Sequence, residues 1–507
     1  MTASVHSAET SESQLDLILD AAVTAASRWA DFTPSARARV LTAVADALEA
    51  QSSSLVQEAL AETGLPEPRL TGEVARTCMQ LRMFAEELNT GQFLDVVIDR
   101  ADPDFVLGPR PELRRYQIPV GPALVFAAGN FPFAFSVAGT DTASALAAGC
   151  PVLVKAHPGH PHTSAATAAI IDDALASAGA PRGTFALVTG LDAGIRALKD
   201  PRITAAAFTG SVAGGRALFD IAAARPIPIP FYGELGSINP VIITAGALTE
   251  RADELAAGFV ESFTRTAGQL CTKPGILLIP KGSDIAATIA ALSREIPAAR
   301  MLTKKIADGF SSRIKDAMET SGIEVLLEGG ASGEEGEIPH VTPTLLRTSA
   351  EHVITHADTL LEESFGPATI IAEYSSNDEV LRLLAAIDGT LTVTVHTPAA
   401  PGEIELDELR TLTHVAATRT GRLLFNGWPT GVAVTPAQHH GGPYPATTSI
   451  AHTSVGTAAM RRFLRPVVYQ DAPPELLPLP VQEDNPLQIP RTLNTAGQSP
   501  TWGRSIS

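Results

Sequence analysis

The chain has 507 residues, which is long enough for roughly two or three domains with large hydrophobic cores. Hydrophobic residues make up 45% of the sequence and charged residues 18%, a composition that excludes disordered and fibrous proteins. The formal net charge of −18 argues against nucleic acid as the main partner, because phosphate backbones are bound by clustered Lys and Arg.

Cysteine content and apolar runs indicate the compartment. The three cysteines, Cys78, Cys150 and Cys271, are too few for a disulfide framework and fit a reducing environment. Residues 1–20 lack the basic start and apolar stretch of a signal peptide. The longest apolar run, 124–139, is interrupted by Gly, Asn and Pro and is too short to span a membrane. We therefore expect a soluble, cytoplasmic protein with no membrane partner.

The N-terminal region reads as helices. Apolar residues within 15–29 and 40–48 recur at helical spacing, and a third helical stretch, 55–88, is broken at Pro66. Residues 92–117 have an extended pattern interrupted by prolines.

From residue 122 onward, short apolar runs alternate with helical patterns of a dozen residues or so. This alternation predicts parallel sheets with helices on both faces, because such strands are buried on both sides. The strand candidates are 123–127, 152–155, 184–188, 204–208 and a run that ends at Glu234, followed in a second α/β region, about 240–450, by 276–279, 369–373, 391–395 and 422–426.

Two residues are candidates for catalysis on their local surroundings alone. Cys271 lies in a Gly-Gln-Leu-Cys-Thr segment of small and polar residues, which suits a nucleophile; a buried, inert thiol is the alternative, as it is for Cys78 and Cys150. Glu234 ends an apolar strand, where burial raises a carboxyl pKa toward that of a general base. A glutamate that faces solvent is the alternative there.

The segment 208–215 follows a strand and opens a helix. Its backbone N–H groups and the helix dipole favour an anion at Gly210, Ser211 and Gly215. It lacks the Gly-x-Gly-x-x-Gly fingerprint of dinucleotide sites, so a plain strand-to-helix turn is the alternative.

Several short motifs occur in a fixed order along the chain. Together they resemble the aldehyde dehydrogenase superfamily, and the likeness spans roughly residues 15–470. The resemblance implies an α/β protein with two doubly wound α/β domains, a Rossmann-type cofactor domain and a catalytic domain, and a small oligomerisation flap. The motifs are Asn-Phe-Pro-Phe at 130–133, Val-Leu-Val-Lys at 152–155, Phe-Thr-Gly-Ser at 208–211, Glu-Leu-Gly at 234–236, Gly-Gln-Leu-Cys at 268–271 and Glu-Ser-Phe-Gly-Pro at 363–367.

The resemblance also implies an activity and roles for particular residues. It implies an oxidoreductase that converts an aldehyde to a carboxylate with NAD(P), through a covalent thioester on Cys271. Asn130 matches the amide that holds the developing oxyanion, and Glu234 matches the base that activates water. No metal ion is expected at the site. The implied cofactor contacts are Lys155, His157, Gly210, Ser211, Gly215, Leu235, Glu363 and Phe365.

Two positions depart from the pattern of the superfamily. Pro158 stands three residues after Lys155, where members that favour NAD often carry a glutamate. Because no carboxylate there repels a 2′-phosphate, we expect NADP, or both NADP and NAD. The tryptophan that usually precedes Asn130 is replaced by Gly129.

A narrower likeness concerns the substrate. The sequences at 155–158 and 233–240, and the His-Gly-Gly-Pro-Tyr-Pro run from His440, resemble a branch that contains α-ketoglutaric semialdehyde (2,5-dioxovalerate) dehydrogenases and NADP-dependent fatty-aldehyde dehydrogenases. We expect oxidation of 2,5-dioxovalerate to 2-oxoglutarate, with a long-chain aldehyde as the alternative. Transfer of the thioester to coenzyme A and a non-catalytic binding protein are less favoured. Arg265 is a candidate ligand for a substrate carboxylate. His440 is either a substrate- or proton-handling residue or a histidine that packs a turn.

The domain boundaries expected from these features complete the prediction. By analogy with the family, the protein is expected to form a homodimer or homotetramer. The expected parts are an NAD(P)-binding domain (1–95 and 115–233), a catalytic domain (234–455), an oligomerisation flap with a C-terminal segment (96–114 and 456–490) and a flexible tail (491–507).

Overall fold

The computed structural model describes residues 9–334 and 336–498. Its α-helices are α1 (Glu12–Ala30), α2 (Pro34–Ala50), α3 (Ser52–Thr63), α4 (Glu67–Thr90), α5 (Thr140–Ala148), α6 (Pro161–Ser177), α7 (Leu191–Lys199), α8 (Val212–Ala223), α9 (Ala245–Thr264), α10 (Ile285–Arg294), α11 (Lys304–Glu319), α12 (Ala350–Thr355), α13 (Ala357–Leu360), α14 (Asn377–Ala386) and α15 (Glu403–Ala417). Short 3₁₀ turns span Gln92–Leu94, Arg265–Gly268, Thr457–Phe463, Pro474–Leu476 and Leu479–Val481.

The β-strands fall into separate sheets. They are β1 (Val96–Asp99), β2 (Leu113–Pro119), β3 (Ala123–Phe126), β4 (Val152–Lys155), β5 (Phe185–Val188), β6 (Ala205–Thr209), β7 (Phe231–Glu234), β8 (Pro240–Ile243), β9 (Ile276–Pro280), β10 (Ala299–Arg300), β11 (Glu324–Leu327), β12 (Ala331–Ser332), β13 (His340–Val341), β14 (Thr344–Ser349), β15 (Ala368–Tyr374), β16 (Thr390–His396), β17 (Thr420–Phe425), β18 (Leu464–Gln470) and β19 (Arg491–Asn494).

The N-terminal helices begin and end where the sequence supplies the appropriate caps. The Ser11 hydroxyl accepts the backbone N–H of Gln14, and the Gln14 side-chain oxygen accepts the backbone N–H of Ser11, so α1 starts with a capping box. Gly64 ends α3 in the left-handed conformation, and Pro66 precedes α4. The predicted helices and their break at Pro66 are therefore confirmed.

A five-stranded sheet has the order β5-β4-β3-β6-β7, and every pair in it is parallel. The strand order reverses between β3 and β6, which makes their carboxyl ends the topological switch point where α/β sheets bind ligands. Lys155, Thr209 and Glu234 end their strands at this same edge. The predicted strands of this region are confirmed to within a residue or two.

A seven-stranded sheet has the order β11-β14-β15-β9-β8-β16-β17. Only its edge strand β11 is antiparallel to its neighbour. Four of these strands correspond to the sequence candidates in the second α/β region, whereas β8, β11 and β14 were not among them. Apolar cores cover both faces of each large sheet, which confirms the α/β fold class.

A smaller sheet, β18-β2-β1-β19, joins distant parts of the chain. The predicted flexible tail from residue 491 is wrong for Arg491–Asn494, because these residues pair in parallel with Val96–Asp99 and Asn494 donates to the Asp99 carboxylate at 2.6 Å. The rest of that predicted tail from residue 499 on lies outside the described residues. The strand β2 also runs past the predicted flap boundary at 114. The division into domains stays a prediction.

A search of the described helices finds none that is both long and apolar enough to cross a membrane.

Candidate active site

The end of β7 is tied to a segment more than two hundred residues later in the chain. Leu235 donates its N–H to Ala446 O at 2.8 Å, and Thr448 donates to Gly233 O at 3.1 Å. Gly233 in turn donates to the Thr448 hydroxyl at 2.8 Å. These bonds fix Glu234 beside the loop that carries His440.

Glu234, His440 and Cys271 form one cluster. The Nε2 atom of His440 lies 2.8 Å from Glu234 Oε1 and 3.5 Å from Cys271 Sγ. The Ser454 hydroxyl donates to Glu234 Oε2, and His440 N–H donates to the Thr453 hydroxyl at 2.8 Å. The sequence placed Cys271 and Glu234 in one site, and the structure adds His440, whose Nε2 contacts both. The ligand atoms of the three lie within 4.8 Å of one another, a spacing that would also suit a metal ion.

The surroundings shift the pKa values of Glu234 and Cys271 in opposite directions. Burial alone raises the pKa of Glu234, but the charge and hydrogen bond of His440, the Ser454 hydroxyl and the charge of Arg462 outweigh it and leave this pKa below its usual value. Burial and the neighbouring carboxylate of Glu234 raise the pKa of the Cys271 thiol well above its usual value. Glu234 is therefore ionised, and the thiol needs a base.

His440 can supply that base through a single atom. Its Nε2 faces both the thiol and the carboxylate, and one nitrogen holds only one proton. To act as the base, the neutral ring must carry its proton on Nδ1. Once Nε2 has taken the thiol proton, it donates to Glu234, and the carboxylate stabilises the imidazolium and is itself kept ionised by it. Within the described residues, the other ring nitrogen, Nδ1, has no hydrogen-bond partner, and the ring is 1% exposed.

The cysteine loop is held from two sides. Asn239 donates from Nδ2 to Cys271 O at 2.9 Å and to Lys273 O at 3.0 Å. Asn130 donates from Nδ2 to Gln269 O at 3.1 Å, so the predicted oxyanion amide lies beside the loop of the predicted nucleophile. An amide nitrogen carries two hydrogens, so Asn130 has a second N–H to offer. Asn239 was missed, although it lies in the motif at 233–240.

Cationic side chains surround Asn130. Arg69 donates from Nη2 to Asn130 O at 2.6 Å, and Arg76 lowers the pKa of the Cys271 thiol by its charge. Arg265, the predicted carboxylate ligand, is exposed at the end of α9, and its charge lowers the pKa of Arg69 after the larger effect of burial. The sequence reading found Arg265 but missed Arg69 and Arg76.

The helix start at α8 has a cap of its own. Ser211 accepts the N–H of Gly214 at 3.2 Å. The N–H of Gly210 is bonded to Glu234 O at 3.0 Å and that of Gly215 to Ser211 O at 2.9 Å. These two glycine N–H groups are thus not available to a phosphate. A Cβ at Gly215 would lie 2.1 Å from Leu235 Cδ2, so this pair closes the turn against β7. Ser211 stays a predicted cofactor contact.

Lys155 and His157 lie at the same sheet edge. The Lys155 side chain is buried, and burial lowers the pKa of its amine, with Lys305 adding to that effect and Glu9 opposing it. Burial, and then the charges of His160, Lys155 and Lys305, lower the pKa of His157 to about 3. His157 stacks on His160 at 5.4 Å and stays neutral, so it adds no positive charge here.

Glu363 lies beside Gly236, which follows the end of β7 by two residues. Burial raises its pKa to about 7, an effect that the charge of Lys273 and the Ser237 N–H oppose. A Cβ at Gly236 would lie 2.5 Å from Glu363 Oε2, so the glycine leaves room for this carboxylate. Phe365 packs against the core beneath the five-stranded sheet. A partly exposed acceptor at Glu363, together with a buried lysine at Lys155 and a capped helix start at the switch point, fits a dinucleotide.

Comparison with known proteins identifies the family. Residues 2–465 match the aldehyde dehydrogenase family. The chain belongs to that family. The resemblance inferred from the ordered motifs is therefore confirmed: the aldehyde dehydrogenase is an oxidoreductase that acts on aldehydes, and it uses NAD(P).

Curated relatives share nearly the whole chain. This aldehyde dehydrogenase is 45% identical over 462 residues to "Alpha-ketoglutaric semialdehyde dehydrogenase 2" of Azospirillum brasilense, which covers 90% of this chain and 86% of that one. It is 39% identical over 485 residues to "Alpha-ketoglutaric semialdehyde dehydrogenase" of Acinetobacter baylyi, covering 95% and 91%. The lactaldehyde dehydrogenase of Escherichia coli has the same fold, with a TM-score of 0.77 at 20% identity over 92% of both chains.

Proposed function

We propose that this aldehyde dehydrogenase oxidises 2,5-dioxovalerate, the α-ketoglutaric semialdehyde, to 2-oxoglutarate, with NADP preferred to NAD. The observation that carries the chemistry is the single imidazole nitrogen that lies between the Cys271 thiol and the Glu234 carboxylate. The substrate is supported by the names of the two similar relatives. The roles of the individual active-site residues are part of the same proposal.

Acylation begins at Cys271. His440 Nε2 takes the thiol proton and holds it in a hydrogen bond to ionised Glu234, so that the thiolate attacks the aldehyde carbon. The oxygen of the tetrahedral adduct accepts from the second N–H of Asn130 and from the backbone N–H of Cys271. One such donor contributes about 3–4 kcal/mol to lowering the barrier. Lys155, Ser211, Glu363 and Phe365 would hold NAD(P), which when bound would supply the acceptor for the hydride that the adduct loses on becoming a thioester.

Hydrolysis of the thioester needs a second proton transfer. After acylation, His440 releases the thiol proton to solvent. Glu234 and His440, which are 2.8 Å apart, then remove a proton from the attacking water. The thiolate then leaves, and its charge is again balanced by the protonated pair. Branches that transfer the acyl group to coenzyme A often lack the glutamate, so Glu234 favours hydrolysis.

The preference for NADP is argued from charge. Pro158 replaces the carboxylate that would repel a 2′-phosphate, and His157 is neutral. Lys305, exposed at the start of α11, is near enough to Lys155 for its charge to lower the pKa of that amine. Two lysines close together favour an added phosphate.

A cofactor experiment tests this preference. The variant Lys305→Met should lower the ratio of kcat/KM for NADP over NAD by about 5-fold, since one exposed cationic contact is lost. The control Lys304→Met removes the adjacent lysine, which pairs with Asp308 at 2.8 Å, and should leave the ratio unchanged. An equal ratio in both variants would show that Lys305 does not contact the cofactor.

A panel of aldehydes tests the substrate. We expect kcat/KM for 2,5-dioxovalerate to exceed that for pentanal and for decanal with either cofactor. The long-chain alternative has one observation in its favour, an apolar cluster beside Asn130 that contains Phe131, Phe135 and Val455. A higher kcat/KM for decanal than for 2,5-dioxovalerate would establish that alternative.

A further inference from the structure

We propose that Arg69 and Arg76 form the site for the substrate carboxylate, the group that lies at the other end of the molecule from the aldehyde. This inference rests on the proposed function, which it deepens by naming the residues that select aldehydes with a remote anionic end. The sequence predicted Arg265 for that role, but Arg265 is exposed at the end of α9.

The two arginines lie on one face of α4, seven residues and about two turns apart. Arg69 donates to the backbone oxygen of Asn130 at 2.6 Å, directly before Phe131 in the chain. The Arg76 charge acts on both Cys271 and Glu234. Together these contacts place the guanidinium groups close to the thiol and to Asn130.

Each guanidinium has an unused donor. Within the part of the chain that the structure describes, the buried atoms Arg69 Nη1 and Arg76 Nη2 have no hydrogen-bond partner. Buried N–H donors without acceptors are costly, so such atoms indicate a ligand. Arg76 Nε reaches only Gln80 Oε1, at the long distance of 3.5 Å.

The aromatic rings beside them hold the guanidinium planes without using their N–H groups. The Phe131 centroid lies 4.9 Å from Arg69 Cζ, and the Phe135 centroid lies 5.4 Å from Arg76 Cζ. Stacked arginines keep their planar edges available for a carboxylate. The rings also form an apolar wall suited to the short carbon chain between carboxylate and aldehyde.

The nearby carboxylate does not neutralise the pair. Glu73 uses Oε1 to accept the N–H groups of Phe133 and Ala134 at 2.8 and 3.0 Å. Its other oxygen lies 3.9 Å from Arg69 Nη2, beyond hydrogen-bonding distance. Burial also raises the Glu73 pKa. Glu234, whose charge also acts on Arg76, is hydrogen-bonded to His440 and Ser454, so the two guanidinium groups keep donors available for an anion.

The experiment compares two aldehydes of equal carbon number, 2,5-dioxovalerate and pentanal. In Arg76→Met, the ratio of kcat/KM for 2,5-dioxovalerate over pentanal should fall by about 10- to 100-fold, the loss of a charge-assisted hydrogen bond. A changed thiol pKa affects both aldehydes equally and cancels in this ratio. In Arg76→Lys this ratio should fall between the wild-type value and the Arg76→Met value, because lysine keeps the charge but lacks the planar guanidinium group.

Arg82 on the same helix provides the matched control. It pairs on the surface with Asp46 at 2.7 Å, so Arg82→Met should leave the ratio unchanged. If Arg76→Met lowers kcat/KM for both aldehydes equally, Arg76 has only a structural or thiol-tuning role and the proposal is overturned.

Glutarate separates this site from the identity of the substrate. Glutarate should compete with pentanal in the wild-type enzyme, and its inhibition constant should rise about 10-fold or more in Arg76→Met. Loss of competition in the variant supports the anion site even where pentanal proves a better substrate than 2,5-dioxovalerate, an outcome that refutes only the proposed function. Absence of competition in the wild-type enzyme overturns the anion site.

Discussion

Replacing His440 by glutamine tests the proton transfer on which the proposed chemistry depends. The glutamine amide can donate to Glu234 as the protonated imidazole does, so the buried carboxylate keeps a partner, but the amide cannot accept the thiol proton. A positioned base contributes about 10²- to 10⁴-fold to a rate. His440→Gln should therefore lower kcat by about 10²- to 10⁴-fold, equivalent to about 3–5 kcal/mol of barrier.

The assay follows the thiol directly. Alkylation of Cys271 by iodoacetamide, measured against pH without cofactor, reports how much thiolate is present. Burial and the Glu234 charge raise the pKa of this thiol well above its usual value, so direct ionisation at neutral pH yields little thiolate. In His440→Gln the alkylation rate should be low at pH 7 and should rise only at strongly alkaline pH, whereas the wild-type rate levels off earlier.

The neighbouring His439 provides the control. It is half-buried and contacts Gly421 and Gly441 rather than the thiol, so His439→Gln should alkylate as the wild-type enzyme does. Equal alkylation rates in His440→Gln and the wild-type enzyme at pH 7 would refute the assignment of His440 as the base that ionises Cys271.

Two further predictions concern hydrolysis and the cysteine loop. Glu234→Gln should release a first equivalent of reduced cofactor and then turn over at least about 100-fold more slowly, because the thioester lacks its base; unchanged acid production would overturn that role. Gly268 has φ +64, and a Cβ there would lie 2.2 Å from Gly366 O, so Gly268→Ala should lower the free energy of unfolding by about 2–5 kcal/mol. Gly282 has φ +80 with no atom within 4 Å of its Cβ position, so Gly282→Ala should cost only about 1–2 kcal/mol. Urea unfolding followed by circular dichroism measures both, and equal losses would rule out the backbone clash at Gly268.

The strands of both large sheets could be read from the sequence because they are buried on both faces. A strand such as Val152–Lys155 sends Leu153 to one core and Val154 to the other, so it appears as an unbroken apolar run. The strand Arg491–Asn494 could not be found in this way. It is short and half-exposed, and it is stabilised as a strand by its pairing with β1, almost four hundred residues earlier in the chain.

The same contrast applies to the site. Cys271, Glu234 and Asn130 were found because each lies in a short motif, and motifs are local. Arg69 and Arg76 lie on a helix whose alternation of polar and apolar residues is typical of any amphipathic surface helix. Nothing in that pattern distinguishes an arginine that faces solvent from one that faces a catalytic crevice. Only the packing of Phe131 and Phe135 against their guanidinium groups makes the difference.

His440 shows most clearly that the short sequence motifs alone do not determine the chemistry of the site. Its neighbours in sequence, including the Gly-Gly-Pro run that follows it, are typical of a turn, and a turn-packing histidine was the alternative interpretation. Its position is decided by the backbone bonds that tie residues 446–448 to the end of β7, which place its Nε2 atom 2.8 Å from Glu234. The thiol, the imidazole and the carboxylate are unremarkable one by one. Because one nitrogen lies between the other two groups, a proton that leaves the sulfur is held by a charge pair instead of being released to water.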